Sequence, residues 1–228
     1  MKVFLFDVDA TLVLTGGAGL RALDRAFQKR YSLDGAMTGI APHGKTDPAI
    51  IREIFHARFQ SQPNSEREVA AILEDYVEFL RDEVERSDSY HVLPGIPEIL
   101  AELSNRNGVM LGLATGNVES GARIKLQPGG LNRFFSFGGF GSDSESRPAL
   151  VRRAIDRASE KHGSTIPPRD VLVIGDTPLD IAAGRELGCV TVGVATGKYS
   201  EEQLRTSGAD LAIPDCRDGR LLLDSILL

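Results

Sequence analysis

The hydrophobic residues of the chain are concentrated in short, continuous apolar runs that each end at polar residues. Runs of this kind, which lack a regular alternation of apolar and polar positions, are typical of strands covered on both faces, as in a parallel sheet. We predict strands at residues 2–6, Val109–Ala114, Val171–Gly175 and Val190–Val194, a weaker strand at Leu211–Ile213, and a strand or strand edge at Phe134–Phe137.

Between these strands, apolar residues recur at the three- and four-residue spacing of amphipathic helices. One helical face runs from Ile96 to Leu103, a second from Leu150 to Ala158, and a third from Leu179 to Leu187, after which Gly188 is suited to end the helix. Strands that alternate with helices predict an α/β fold with a doubly wound, Rossmann-like parallel sheet. The final LLLDSILL is expected to be a core helix or an interface.

One region interrupts this alternation. Between residues 16 and 90 the sequence has no convincing strand pattern, and helical faces follow one another at 20–31, 50–59 and 69–84. Asp47 is the expected N-cap of the second helix, because the proline that follows it suits the first helical position.

This helical region is predicted to be a separate module. We divide the chain into an α/β core domain, residues 1–15 and 91–228, and an all-helical cap domain, residues 16–90. Glycines in the segments 15–17 and 93–95 make both boundaries suitable hinges.

Composition excludes several classes of protein. The 228 residues contain 26 Lys and Arg against 32 Asp and Glu, a net charge of -6, without a basic cluster. Such a chain is poorly suited to bind nucleic acid or an anionic membrane, and no apolar stretch is long enough to span a bilayer. Two cysteines, Cys189 and Cys216, are too few for a disulfide scaffold or a zinc finger, so we expect buried thiols and a cytoplasmic location.

Acidic residues follow two of the predicted strands. Asp7 and Asp9 come directly after the first strand, and Asp176 and Asp180 follow Val171–Gly175. Open parallel sheets bind ligands at the carboxyl ends of their strands. Carboxylates brought together there repel one another unless a cation lies between them, and their oxygens suit Mg²⁺. A single Asp in such a place often only caps the next helix, but capping does not account for a convergence of three.

Two further polar segments precede predicted helices. Thr115-Gly116-Asn117 follows Val109–Ala114, and Arg147-Pro148 follows the Phe134–Phe137 segment. Backbone N–H groups at a helix N-terminus favour an anion such as phosphate. The alternative is that Thr115 or Asn117 simply caps the helix.

Together these segments resemble the haloacid dehalogenase superfamily. Residues 7–11 (DVDAT) are similar to its first motif, Thr115 to its second, and Gly175–Asp180 (GDTPLD) to its fourth. The helical insertion resembles the small cap of the phosphoglycolate phosphatase and β-phosphoglucomutase branch. The resemblance therefore covers nearly the whole chain.

The resemblance implies roles for the two acids of the first motif. Asp7 would be the nucleophile that attacks phosphorus and becomes an aspartyl phosphate. Asp9 would protonate the leaving alcohol and then activate water, while its main-chain carbonyl binds Mg²⁺. The enzyme would then be a Mg²⁺-dependent phosphatase.

The resemblance also implies which residues bind the phosphate and the metal. Thr115, with the backbone N–H groups of Gly116 and Asn117, would hold the phosphoryl oxygens. Asp176 would be a Mg²⁺ ligand beside Asp7. Asp180 would be a further acid on the metal side.

The sequence departs from the superfamily pattern at two positions. Ala10 stands where the first motif usually has Gly, so we expect a slightly altered loop and retained activity. Arg147 stands where the third motif usually has Lys, and the two cations are not equivalent. We favour Arg147 for this role, with Lys125 as a second candidate.

The cap contains a polar loop ahead of its second helix. In the resembled class such a loop faces the active site. Lys45 could pair with a second anionic group of the substrate, and His43 could hydrogen-bond it; alternatively, the loop is only an exposed helix start. A small phosphorylated metabolite, similar to 2-phosphoglycolate, is the expected substrate, and the protein is expected to be a monomer or a homodimer.

Other functions remain open from the sequence. A phosphoryl transfer between sugar positions, as in β-phosphoglucomutase, is the second enzymatic reading. A dehalogenase is disfavoured because Asp9 is present, and phosphonate cleavage would need a cap lysine such as Lys29 or Lys45 in an apolar site. A non-catalytic protein that binds a phosphorylated ligand is the alternative outside the enzymes.

Overall fold

The computed structural model describes residues 1–219, and the predicted helix in the last eight residues lies outside them. The strands are β1 (Lys2–Phe6), β2 (Val13–Thr15), β3 (Tyr90–Val92), β4 (Val109–Thr115), β5 (Gly138–Phe140), β6 (Val171–Gly175), β7 (Val190–Val194) and β8 (Leu211–Ile213). The α-helices are α1 (Ala18–Tyr31), α2 (Asp47–Phe59), α3 (Glu66–Glu85), α4 (Ile96–Ser104), α5 (Glu119–Leu126), α6 (Arg147–His162), α7 (Pro178–Glu186) and α8 (Glu201–Thr206).

Six strands form one parallel sheet in the order β5-β4-β1-β6-β7-β8. The chain moves outward from β1 in both directions, which is the doubly wound arrangement. The predicted α/β class is therefore confirmed.

Both faces of this sheet are buried. Phe4 and Phe6 of β1 belong to one hydrophobic cluster, together with the apolar faces of α4 and α5. Val3 and Leu5, which point the other way, belong to a second cluster with α6. Burial on both sides explains why residues 3–6 of β1 are all apolar instead of alternating with polar residues.

Helices α1, α2 and α3 have a hydrophobic cluster of their own. Their buried faces follow the predicted periodicity, except that Leu20 and Phe59, at the ends of two predicted faces, are exposed. Val118, which precedes α5, also packs in this cluster and so joins the helices to the sheet.

The start of α2 differs from the prediction. Its N-cap is Thr46, whose side-chain oxygen accepts a hydrogen bond from the backbone N–H of Ala49 at 3.4 Å. Asp47 is the first helical residue and turns its carboxylate elsewhere. The prediction of Asp47 as the cap was wrong because Thr and Asp are both good N-caps, and the neighbouring core decides between them.

The prediction of a strand at Phe134–Phe137 is also wrong. A 3-10 turn covers Leu131–Phe134, and the strand that pairs with β4 is Gly138–Phe140. Its two glycines give no hydrophobic signal. They are required because a Cβ on Gly139 would lie 1.8 Å from the carbonyl oxygen of Leu150.

A short antiparallel pair connects the two ends of the helical insertion. Val13 of β2 is paired with Val92 of β3, and Thr15 with Tyr90. These strands border the glycine-containing segments 15–17 and 93–95. Among residues 1–219, no helix is long and apolar enough to cross a membrane.

Candidate active site

Four polar side chains meet at the carboxyl-terminal edge of the sheet. Asp7 follows β1, Thr115 ends β4 and Asp176 follows β6. Since β1 lies between β4 and β6, the three residues are neighbours across the central strands. Arg147, at the start of α6, reaches the same edge, and all four side chains are buried.

Three carboxylates form a compact acidic cluster. Asp7, Asp176 and Asp180 each offer an oxygen within 4.8 Å of the others. Burial raises the pKa of Asp7, although the charge of Arg147 opposes the rise. Burial and the charge of Asp7 raise the pKa of Asp176 to about 8.

This cluster fits a hard divalent cation such as Mg²⁺. All of its donors are carboxylate oxygens, the ligands that Mg²⁺ prefers. Burial raises the pKa of both Asp7 and Asp176 and so disfavours their ionised forms. A cation between them would compensate both.

Asp180 connects the acidic cluster to the start of α7. One of its oxygens accepts hydrogen bonds from the backbone N–H of Thr177 at 3.1 Å and from the Thr177 hydroxyl at 2.7 Å. Its other oxygen forms an ion pair with Arg147. A Cβ on Gly175 would lie 2.3 Å from the Asp180 carboxyl carbon, so only glycine fits there.

Arg147 carries positive charge into the acidic cluster. Its Nη2 lies 3.9 Å from a carboxylate oxygen of Asp7. Within the described part of the chain, its Nε and Nη1 are buried and have no hydrogen-bond partner. Buried donors without partners are unfavourable, so these N–H groups are available to an anionic ligand.

Lys125 lies next to a different acid. Its Nζ donates to both carboxylate oxygens of Asp9, at 2.9 and 2.7 Å, and to the side-chain oxygen of Asn117 at 2.6 Å. Of the two basic residues proposed from the sequence, Arg147 therefore lies beside Asp7 and Lys125 beside Asp9.

The Thr115-Gly116-Asn117 segment is part of the same network. The Thr115 hydroxyl hydrogen-bonds Asp7 and accepts from the Asn117 side chain at 2.8 Å. The Asn117 amide also donates to Asp9 at 2.8 Å. Simple capping does not describe these residues, because the N-cap of α5 is Val118 and has no side-chain cap.

Ala10 adopts a left-handed backbone conformation with φ 55°. This conformation is costly for alanine, by about 1 kcal/mol, and is the reason that glycine is common in such turns. The backbone N–H of Ala10 donates to the carbonyl of Val13 at 2.9 Å, and its carbonyl accepts from Thr196 at 2.5 Å. The loop thus keeps its turn in spite of the substitution.

The polar loop before α2 lies against the sheet edge. The backbone N–H of Asp47 donates to the carbonyl of Gly116 at 2.8 Å, and its carboxylate accepts from the backbone N–H of Val118 at 2.8 Å. Burial raises the pKa of Asp47 to about 6, although the charge of Lys125 opposes the rise. A Cβ on Gly116 would lie 2.2 Å from the carbonyl oxygen of Lys45, so the contact requires glycine.

The two candidate substrate residues of this loop have different surroundings. Lys45 Nζ lies 2.5 Å from Glu53 Oε2 in an exposed to half-buried pair. His43 is exposed and lines the cavity described next.

A cavity of about 680 Å³ lies between the helical segment and the sheet edge. It is lined by the candidate catalytic residues and by several residues that sequence reasoning did not single out for function, namely Asp47, Tyr76, His91 and Lys198. Tyr76 was hidden in the apolar periodicity of α3, and no sequence signal separates it from the hydrophobic core.

Comparisons with known proteins agree with the fold and indicate the family. The model of the haloacid dehalogenase-like hydrolase family matches residues 4–194, which is most of the chain. The chain therefore belongs to this family of hydrolases, as the motifs predicted.

Individual relatives lie in the branch that the sequence resembles. A probable phosphatase, IndB, of Dickeya dadantii is 24% identical over 89% of this chain and 85% of that protein. A phosphoglycolate phosphatase of Vibrio vulnificus is 30% identical over 60% of this chain and 58% of that protein. A solved β-phosphoglucomutase from Clostridium difficile shares the fold, with a TM-score of 0.75 at 18% identity over 100% of this chain and 97% of that one.

Proposed function

We propose that this protein is a Mg²⁺-dependent phosphatase that hydrolyses a small phosphomonoester through an aspartyl phosphate on Asp7. The observation that carries the proposal is the combination of an acidic cluster with Arg147, two of whose buried guanidinium nitrogens have no hydrogen-bond partner among residues 1–219. The acidic cluster suits a cation, and Arg147 suits a phosphoryl group.

In the first step, a carboxylate oxygen of Asp7 attacks phosphorus. The new bond joins Asp7 to phosphorus, and the bond between phosphorus and the ester oxygen breaks. Asp9 donates its proton to the leaving oxygen, so that an alcohol departs. In the second step, Asp9 removes a proton from water, which attacks phosphorus and releases inorganic phosphate and free Asp7.

The phosphoryl oxygens are held by groups that surround Asp7. Arg147 offers its free guanidinium N–H groups, and Thr115 offers its hydroxyl. Mg²⁺, held by Asp7, the Asp9 carbonyl and Asp176, with Asp180 on the metal side, would let an anionic nucleophile approach an anionic ester. Arg147 performs the charge compensation that the family usually assigns to lysine.

The helical segment is proposed to act as a cap that closes over the substrate. The hydrogen bonds of Asp47 with Gly116 and Val118, which hold the helical segment against the sheet edge, support this proposal. A cavity of about 680 Å³ suits a small metabolite better than a folded phosphoprotein.

The preferred substrate is proposed to be similar to 2-phosphoglycolate. The similarity to a phosphoglycolate phosphatase supports this choice, and Lys45 is the cap cation that could form an ion pair with the substrate carboxylate. Because Glu53 already pairs with Lys45, the substrate carboxylate would have to replace Glu53 or share the lysine with it.

A substrate screen with and without Mg²⁺ tests the proposal. It should include 2-phosphoglycolate, sugar phosphates, nucleoside monophosphates, p-nitrophenyl phosphate and haloacetate. We expect phosphate release that requires Mg²⁺ and is lost in Asp7→Asn. Glu53→Gln should improve the KM for 2-phosphoglycolate and leave that for p-nitrophenyl phosphate unchanged.

Other results would contradict the proposal in specific ways. Transfer of phosphate between positions of a sugar phosphate, without release, would identify a mutase. Binding of phosphate esters without any turnover would identify a non-catalytic protein. Hydrolysis that persists in Asp7→Asn would exclude Asp7 as the nucleophile.

A further inference from the structure

Lys125 is a buried lysine whose charge is directed at a single acid of the active site. Only about 6% of its side chain is exposed, whereas 46% of the Asp9 side chain is open to its surroundings. Burial lowers the pKa of Lys125, but the nearby acidic groups, Asp9 foremost, together outweigh burial and hold the pKa above its usual value. Lys125 thus brings an ammonium group with three donors to the Asp9 carboxylate.

The hydrogen bonds of Lys125 Nζ and of the Asn117 side chain hold Asp9 in place. Lys125 bridges both oxygens of Asp9 and the side-chain oxygen of Asn117. Asn117 in turn donates to Asp9 and to Thr115. Asp9 is thus restrained by two partners whose own positions are fixed by α5 and the end of β4.

The helical segment surrounds Lys125 on its other side. The Tyr76 hydroxyl, from α3, lies beside the Lys125 ammonium, and Tyr76 is almost fully buried. A Cβ on Gly19 of α1 would lie 3.5 Å from Lys125 Nζ and 3.7 Å from the Tyr76 hydroxyl oxygen. Helices α1 and α3 therefore both contact the lysine that restrains Asp9.

We propose that Lys125 is a positioning residue that orients Asp9 for proton transfer, and that Tyr76 makes this orientation depend on the closed cap. The proposal rests on the proposed function, since it takes Asp9 as the acid for the leaving group. It also distinguishes the two basic residues: Arg147 serves the phosphoryl group at Asp7, and Lys125 serves the proton transfer at Asp9. In an open cap, Tyr76 moves away and Lys125 loses one of its partners.

The dependence of kcat/KM on the leaving group tests this assignment. A poorly oriented acid slows the departure of an alkoxide, which needs a proton, far more than the departure of p-nitrophenolate, which does not. The parameter kcat/KM reports the steps up to transfer of phosphorus to Asp7, so water attack does not obscure the comparison. The variants are Lys125→Met and Tyr76→Phe, with Lys161→Met as the control for removal of an exposed lysine on α6.

For Lys125→Met we expect kcat/KM for an alkyl phosphate to fall about 100-fold, and that for p-nitrophenyl phosphate to fall less than about tenfold. Tyr76→Phe should show the same selectivity with a smaller loss, and Lys161→Met should behave as wild type. If Lys125→Met does not fold, Tyr76→Phe, which removes only a hydroxyl, decides the question by the same ratio.

An equal loss for both substrates would overturn the proposal, because Lys125 would then act on the phosphoryl group or only on the fold. An unchanged ratio in both variants would overturn it as well. Failure of the proposed function looks different, since the wild-type protein would then hydrolyse neither ester.

Discussion

Removal of the charge of Arg147 should impair the nucleophile directly. Arg147 Nη2 lies 3.9 Å from Asp7, and both side chains are buried. At an effective dielectric constant of about 20, two unit charges at this distance attract by about 4 kcal/mol. In Arg147→Met, Asp7 loses this attraction, and its pKa, which burial already raises, increases further. Asp7 becomes a poorer nucleophile, and the phosphoryl group loses two N–H donors.

We expect Arg147→Met to lower kcat for p-nitrophenyl phosphate by about 100- to 1,000-fold, a loss typical of removing a group that stabilises transition-state charge. Arg147→Lys restores the charge in the form usual for the family and should recover most of the rate. Thermal unfolding must accompany the assay, because an uncompensated acidic cluster also destabilises the fold. A folded Arg147→Met protein with wild-type kcat would refute the reasoning.

Three further predictions concern the pH dependence of stability, the contact between Gly116 and the Lys45 loop, and the binding of Mg²⁺. Asp47 has a pKa of about 6 in the folded protein instead of 3.8, so its ionisation lowers the free energy of unfolding as the pH rises through 6. Asp47→Asn should therefore raise the free energy of unfolding by up to about 3 kcal/mol at pH 8 and change it little below pH 4. An equal effect at both pH values would contradict this prediction. Gly116→Ala places a Cβ 2.2 Å from the carbonyl oxygen of Lys45, so the loop that contains Lys45 must move and KM for phosphomonoesters should rise. An unchanged KM would show that this loop is not part of the closed site. Mg²⁺ should raise the melting temperature of the wild-type protein and not that of Asp176→Asn, and a similar rise in both would place the ion elsewhere.

The sequence predicted the architecture well because the strands at the centre of the sheet have a strong signal. β1 and β6 are buried on both faces, and continuous apolar runs follow directly from that burial. β5 could not be recognised, since Gly138 and Gly139 are selected by close contacts and leave no hydrophobic pattern. The start of α2 was shifted by one residue because a tertiary contact, with Val118, decides how Asp47 is used.

For the candidate site, the sequence singled out residues that follow strands and two cations from helices, Lys125 and Arg147, but it did not single out Tyr76 or Asp47. The acids of the first and fourth motifs follow strands, and the parallel topology brings such residues together. Tyr76 and Asp47 reach the cavity only through the packing of the helical segment on the sheet, which periodicity does not encode. The sequence also leaves open which of the two cations lies beside which acid, and the structure places Arg147 near Asp7 and Lys125 near Asp9.

The central claim is that Asp7 carries the phosphoryl group during turnover. Rapid quenching of the wild-type protein with substrate and Mg²⁺, followed by mass spectrometry of its peptides, tests this most directly. The account predicts an acid-stable, hydroxylamine-sensitive phosphoryl adduct on the peptide that contains Asp7, and neither adduct nor turnover in Asp7→Asn. Turnover by Asp7→Asn at the wild-type rate, or an adduct on a different residue, would contradict it.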